Sequence, residues 1–117
     1  GLTPELRRNI RDRGAEAVTK LKAMAEELGS RVTGVQGTGL LFSVALDGTR
    51  YKAYGADSVE EYMRFNGISV IHGGENSLRY TPHFGITSEE VDLLVDATRD
   101  AILNGPMKAE ASEAEAA

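Results

Sequence analysis

Apolar side chains recur at steps of three and four between Pro4 and Leu28: Leu6, Ile10, Val18, Leu21, Ala25 and Leu28, with Gly14 on the same face. That spacing predicts an amphipathic helix, because a period of 3.6 residues gathers those positions into one stripe. Thr3 followed by Pro4 supplies a start signal, and Gly29 supplies a left-handed stop. Gly14 costs about 1 kcal/mol against alanine in a helix interior, so it marks either a kink or a close packing contact.

The pattern then changes period. Residues 32–35 and 40–46 are β-rich runs flanking Gln36-Gly37-Thr38-Gly39, and those two glycines fit either one bent strand or a pair of strands. Asp47-Gly48 is a turn signal. After it, residues 49–54 either return as the partner of a short hairpin or run as a connection, since Tyr51 and Tyr54 do not alternate cleanly. Ser58-Val59-Glu60-Glu61 has the capping-box pattern and predicts a short helix to Asn66, closed by Gly67. Ile68-Ser69-Val70-Ile71 reads as a buried strand, His72-Gly73-Gly74-Glu75-Asn76 as a flexible turn, and residues 77–81 as a further strand ended by Pro82. A second capping box, Thr87-Ser88-Glu89-Glu90, opens a last helix with the stripe Val91, Leu94, Val95, Thr98, Ala101 and Ile102.

The expected fold class is therefore α+β: a small antiparallel sheet covered on one face by helices. The packed domain is expected to occupy residues 1–103. From Asn104 to Ala117 Gly, Pro, Ala, Ser and Glu dominate with almost nothing to bury, which predicts a disordered acidic tail.

Composition narrows the function classes. At 117 residues the chain is one domain's worth, with 41% hydrophobic and 26% charged residues, as in an ordinary globular protein. A net charge of −5 and a pI near 5.0 argue against nucleic acid or anionic lipid as a partner, since both demand clustered Lys and Arg. There is no cysteine, so disulfides, thiolate metal sites and thiol nucleophiles drop out. His72 and His83 lack metal-ligand spacing. No apolar run approaches the roughly 20 residues that span a bilayer, and the charged, helical start is unlike a signal peptide, so a cytoplasmic location is expected. Gly1 in place of Met makes the chain read as a fragment or processed product.

Few residues could carry chemistry. In Ser77-Leu78-Arg79-Tyr80-Thr81 the two-residue period puts Leu78 and Tyr80 on one face and Arg79 on the other with Ser77 and Thr81. A guanidinium among small hydroxyl residues is shaped to grip a carboxylate through two parallel hydrogen bonds. A solvated arginine on an exposed strand face fits the same pattern. The His72-Gly73-Gly74 turn offers backbone amides to an anion or is a plain loop. Gly37-Thr38-Gly39 lacks the later glycine and the helix of a nucleotide-binding fingerprint. His83 has no nucleophile or carboxylate at a recognised spacing, and Tyr51, Tyr54, Tyr62 and Phe65 fit packing better than base stacking in so acidic a chain.

Read in order, several segments resemble the class III aminotransferases, the ornithine, acetylornithine and 4-aminobutyrate group. Val32-Thr33-Gly34-Val35-Gln36-Gly37-Thr38-Gly39-Leu40-Leu41 resembles that family's V-x-x-V-R-G-x-G-L-(L/M) strand, and Asn66-Gly67-Ile68-Ser69-Val70 its G-(V/I)-x-V strand. Ser77-Leu78-Arg79-Tyr80-Thr81-Pro82 resembles x-(L/I)-R-(F/L)-x-P, and Ile86-Thr87-Ser88-Glu89-Glu90-Val91-Asp92 resembles I-T-x-E-E-(I/V)-D. The agreement runs over about residues 10–103. Two positions depart: Gln36 stands where the family usually has Arg, and Pro82-His83-Phe84 replaces Pro-Pro-Leu, which leaves the subfamily and substrate open.

The resemblance implies the C-terminal small domain of a fold type I enzyme that uses pyridoxal 5'-phosphate, works as a homodimer, and moves an amino group between an amino donor and a 2-oxo acid. It implies that Arg79 binds a substrate carboxylate. It also implies that the Schiff-base lysine and the phosphate-binding loops belong to a large domain, the partner of this one, because none of Lys20, Lys22, Lys52 or Lys108 sits in a matching context. No catalytic, cofactor-binding or metal-binding residue is then expected in this chain, which should be inactive alone. The competing readings are a stand-alone amino-acid-binding regulatory module and a structural dimerisation domain.

Overall fold

A computed structural model describes residues 2–68, 70–74 and 76–108. Helix α1 spans Pro4–Leu28 and is followed by a single 3-10 turn, Gly29–Arg31. Strands β1 (Val32–Thr38) and β2 (Leu41–Leu46) come next, then helix α2 (Val59–Phe65), strands β3 (Ile71–Gly73) and β4 (Ser77–Tyr80), and helix α3 (Ser88–Asn104). All strand pairs are antiparallel, in the order β1-β2-β4-β3. The expected α+β architecture is what the chain forms.

The helix ends follow their local chemistry. The Thr3 hydroxyl accepts from the Leu6 amide at 3.1 Å, Pro4 occupies the first turn, and Gly29 leaves the helix at a φ of 62°. At α3 the box is complete: the Thr87 hydroxyl accepts from the Glu90 amide at 3.2 Å and the Glu90 carboxylate accepts from the Thr87 amide at 3.2 Å. At α2 the box is displaced by one residue. Ser58 caps the Glu61 amide at 3.1 Å, but the Glu61 carboxylate accepts from Asp57 rather than from Ser58.

The core lies between the sheet and the helices. Phe42, Val44, Leu46, Leu78 and Tyr80 point inward from β2 and β4 and are all buried. They meet Ala17, Leu21, Met24 and Leu28 of α1 and Val91, Val95, Ala101 and Ile102 of α3. Each such large side chain contributes about 1.5–3 kcal/mol of transfer free energy. The Tyr80 hydroxyl is buried with them and shares a 2.6 Å hydrogen bond with Thr98, which satisfies a polar atom that this packing brings inside.

Two open alternatives are decided and one expectation is corrected. The Gly37–Gly39 region is a strand pair, with the turn at Gly39-Leu40 and Gly39 at a φ of 56°; the irregularity in β1 falls instead between Val32 and Gly34. Residues 49–54 form no hairpin strand. Tyr51 is driven fully inside, where its hydroxyl donates to the Ile102 carbonyl at 2.8 Å. The bonds that a partner strand would have made go to the Asn76 side chain, which donates to Tyr51 O and accepts from the Ala53 amide. Of the strand expected over residues 68–71, Ser69 lies outside the described residues, Ile71 opens β3, and the Ile68 amide instead bonds back to Met63 O beyond the end of α2.

The end of the domain also extends past Leu103. Helix α3 runs to Asn104, Met107 packs against the core, and the Lys108 amide donates to Arg50 O at 2.8 Å. The expected tail from residue 109 onward lies outside the described residues. Among those residues no helix is long and apolar enough to cross a membrane.

Candidate functional site

The helices cover one sheet face and leave the other open, so strand alternation decides which side chains reach solvent. On β2 the inward Phe42, Val44 and Leu46 alternate with Leu41, Ser43 and Ala45. On β4 the inward Leu78 and Tyr80 leave Ser77 and Arg79 on the open side. The ladder sets the register between them: Gln36 pairs with Ser43, Ser43 with Arg79, and Arg79 with Ile71. These four form one row across the whole sheet.

Around that row lies an open cleft of about 330 Å³. Its side chains are chiefly Gln36, Ser43, Ser77 and Arg79, with Ala45 at the floor. Thr33, Gly34 and Gly74 complete the rim, and the hollow continues past Thr38 and Leu41 toward the hairpin tip. Arg79 is exposed there, and among the described residues it has no carboxylate partner. No carboxylate among them lines the cleft. The arginine thus presents its donor fork to whatever enters.

Several other charged groups are already engaged. Glu16 accepts from Arg13 at 2.7 Å and from Lys20 at 2.6 Å, and the Ser88 hydroxyl donates to it at 2.9 Å, tying α1 to α3. The Lys20 hydrogen bond holds the Glu16 carboxyl below the usual carboxylate range, against burial that acts in the other direction. His83 is solvent-facing, with Nε2 3.2 Å from Glu90. That contact, and the Thr87 amide after it, hold the Glu90 carboxyl low. The pair sits at the start of α3, where the Thr87 hydroxyl also donates to Glu90 at 3.2 Å.

Tyr51 and Tyr62 serve as packing groups, while Tyr54 and Phe65 are exposed. Among the described residues no group of His, Cys, Asp or Glu is placed to hold a metal. Pyridoxal phosphate requires an amine for its aldehyde, and the residues present do not fit it. Lys20 is bound to Glu16 and Asp92 on the helical face, Lys108 donates to Gly48 O, and neither Lys22 nor Lys52 lines the cleft.

Sequence reasoning had placed Arg79 outward beside Ser77, which lines the cleft, but did not find its cross-strand neighbours. Ser43 was visible in principle from the alternation of residues 41–46. That it would stand beside Arg79 follows only from the β2–β4 register.

No protein-family model and no curated protein matches the sequence. Solved structures share its fold. N-acetylornithine aminotransferase from Stenotrophomonas maltophilia K279a superposes over 86% of this chain with a TM-score of 0.70 at 24% identity. Ornithine delta-aminotransferase from Plasmodium falciparum does so over 83% with a TM-score of 0.73 at 22% identity. Lysine aminotransferase from M. tuberculosis covers 83% with a TM-score of 0.73 at 20% identity. The matched parts are 27%, 24% and 21% of those chains, so this chain spans about a quarter of their length. The likeness establishes the fold: an α+β domain of the kind found in these aminotransferases.

Proposed function

We propose that this chain is the C-terminal small domain of a class III aminotransferase that uses pyridoxal phosphate to move an amino group from an amino donor to a 2-oxo acid. Arg79 supplies the substrate-carboxylate contact. The cofactor, its lysine and the reacting atoms belong to a large domain that packs over the open sheet face, and the whole enzyme acts as a homodimer. The chain by itself does not transaminate.

The observation that carries this reading is the position of Arg79. It stands on the uncovered face of the sheet, at the cleft, with no carboxylate partner among the described residues. A guanidinium paid out to solvent in this way binds a carboxylate through two charge-assisted bonds. The shared fold with ornithine, acetylornithine and lysine aminotransferases supports the enzyme class.

The test is Arg79→Ala in the parent enzyme. Hydrogen bonds to charged groups are worth about 1.5–3 kcal/mol, so KM for carboxylate substrates should rise roughly tenfold to a hundredfold while cofactor absorbance stays intact. Unchanged KM rejects the role of Arg79. Amino transfer by the 117-residue chain alone rejects the division of labour between domains.

A further inference from the structure

Arg79 does not act alone on its row. Across the ladder it neighbours Ser43, and Ser43 neighbours Gln36. Neighbouring strands are about 4.8 Å apart, so Gln36 and Arg79 flank the cleft at two strand spacings, with only the short Ser43 side chain between them. Both are long and both are exposed. Among the described residues neither side chain has a hydrogen-bond partner, and the cleft contains one cation and no carboxylate. Its charge is therefore complementary to a single negative group.

The second end of the cleft has a different chemistry. The Gln36 amide carries one acceptor oxygen and one donor nitrogen. Facing a ligand amide it exchanges two reciprocal bonds, one each way. Facing a carboxylate it can use only its donor side, and its oxygen is left against a ligand oxygen. A second carboxylate would meet no cation at that end of the cleft, and a missing complement is how a site rejects one ligand as well as how it selects another.

We propose that the Gln36–Ser43–Arg79 row makes this cleft a site for a ligand with one carboxylate and one uncharged, hydrogen-bonding end, and that Gln36 is the residue that discriminates against dicarboxylates. This rests on the carboxylate role of Arg79 proposed above. Gln36 fixes the charge class of the far end, and Arg79 fixes the near end.

The experiment is a titration of the isotope-labelled full chain with two probes, glutarate and its half-amide glutaramate, which share length and differ in the charge of one end. The readouts are the Arg79 side-chain Nε–H and the Gln36 side-chain NH2 resonances. Glutaramate should bind at least about fivefold more tightly than glutarate, with both resonances shifting, since a site built on hydrogen-bond complementarity penalises the mismatched partner. Gln36→Arg should reverse the preference by about tenfold, as expected when a neutral contact becomes a charge-assisted one. Arg79→Ala should abolish binding of both.

Binding of both probes at Arg79 with affinities within about twofold, or a Gln36→Arg preference unchanged from wild type, overturns the discrimination and leaves Arg79 as a carboxylate contact. No shift at Arg79 with either probe overturns the site on this chain, while the role of Arg79 in the parent is decided by its own KM test. Because Gln36 and Arg79 are exposed, backbone amide spectra of the variants should overlay on the wild type away from the cleft, which separates a lost contact from a lost fold.

Discussion

Replacing Gly14 by alanine sets two effects against each other, and the structure decides between them. In an isolated helix the substitution would stabilise by about 1 kcal/mol. Here the added methyl would stand 2.2 Å from the Gly39 carbonyl oxygen and 2.9 Å from its carbon. Both obstacles are backbone, so no side chain can rotate away. Gly39 itself sits at a φ of 56°, where few other conformations are open to the turn. To restore ordinary contact the β1–β2 hairpin must move off α1 by roughly 1 Å, and forced overpacking of this kind costs about 1–3 kcal/mol. With so short an approach the upper half of that range applies, leaving a net loss of about 1–2 kcal/mol after the propensity gain. Thermal unfolding followed by circular dichroism should show Tm lowered by roughly 4–16 °C, at 4–8 °C per kcal/mol for a domain of this size. A Tm equal to or above wild type would show that helix and hairpin do not touch at this point.

Gly37→Ala meets a different obstacle, the Val18 Cγ2 at 2.4 Å; the same assay should show a loss that Val18→Ala partly relieves, and strict additivity of the two changes would refute the contact. Asn76→Gly keeps the left-handed backbone (φ 63°) but removes side-chain bonds to Leu46, Tyr51 and Ala53, and urea unfolding should report a loss of about 2 kcal/mol. The lowered carboxyl of Glu16 contributes stability that is present above its ordinary value near 4.5 and is lost as pH falls through the lower folded value. Glu16→Gln should therefore flatten the fall in unfolding midpoint between about pH 5 and pH 3, and an unaltered profile would remove the Lys20 bond as its cause.

What could be read in advance depended on where each element's determinants lie. Helices α1 and α3 were legible to their first residues because Thr3, Pro4, Gly29, Thr87 and Glu90 are all adjacent to the ends they set. Gly14 was read as kink or contact, and only Gly39, brought over it by the hairpin, selects the contact. Residues 49–54 were ambiguous because their bonding partner, Asn76, lies far along the chain. Residues 68–71 carried a strand-like pattern, yet the Ile68 amide is claimed by the end of α2. The outward direction of Arg79 was local and visible. The row it shares with Ser43 and Gln36 was not, because two non-local registers define it.

The strand order β1-β2-β4-β3 bears on how the chain reaches its final state. The hairpin of β1 and β2 closes through a two-residue turn, and α1 lies next to it in sequence, so these parts can associate through short-range contacts. The central β2–β4 pair is another matter: residues 47–76, including α2, must first be looped out, and closing a loop costs entropy before any contact offsets it. Folding rates fall as such distant pairings dominate. The cleft spans that same seam, with Gln36 and Ser43 on the early side and Arg79 on the late one. A small anion held there would bridge two strands joined by a non-local pairing, and its capture would report that this pairing has formed.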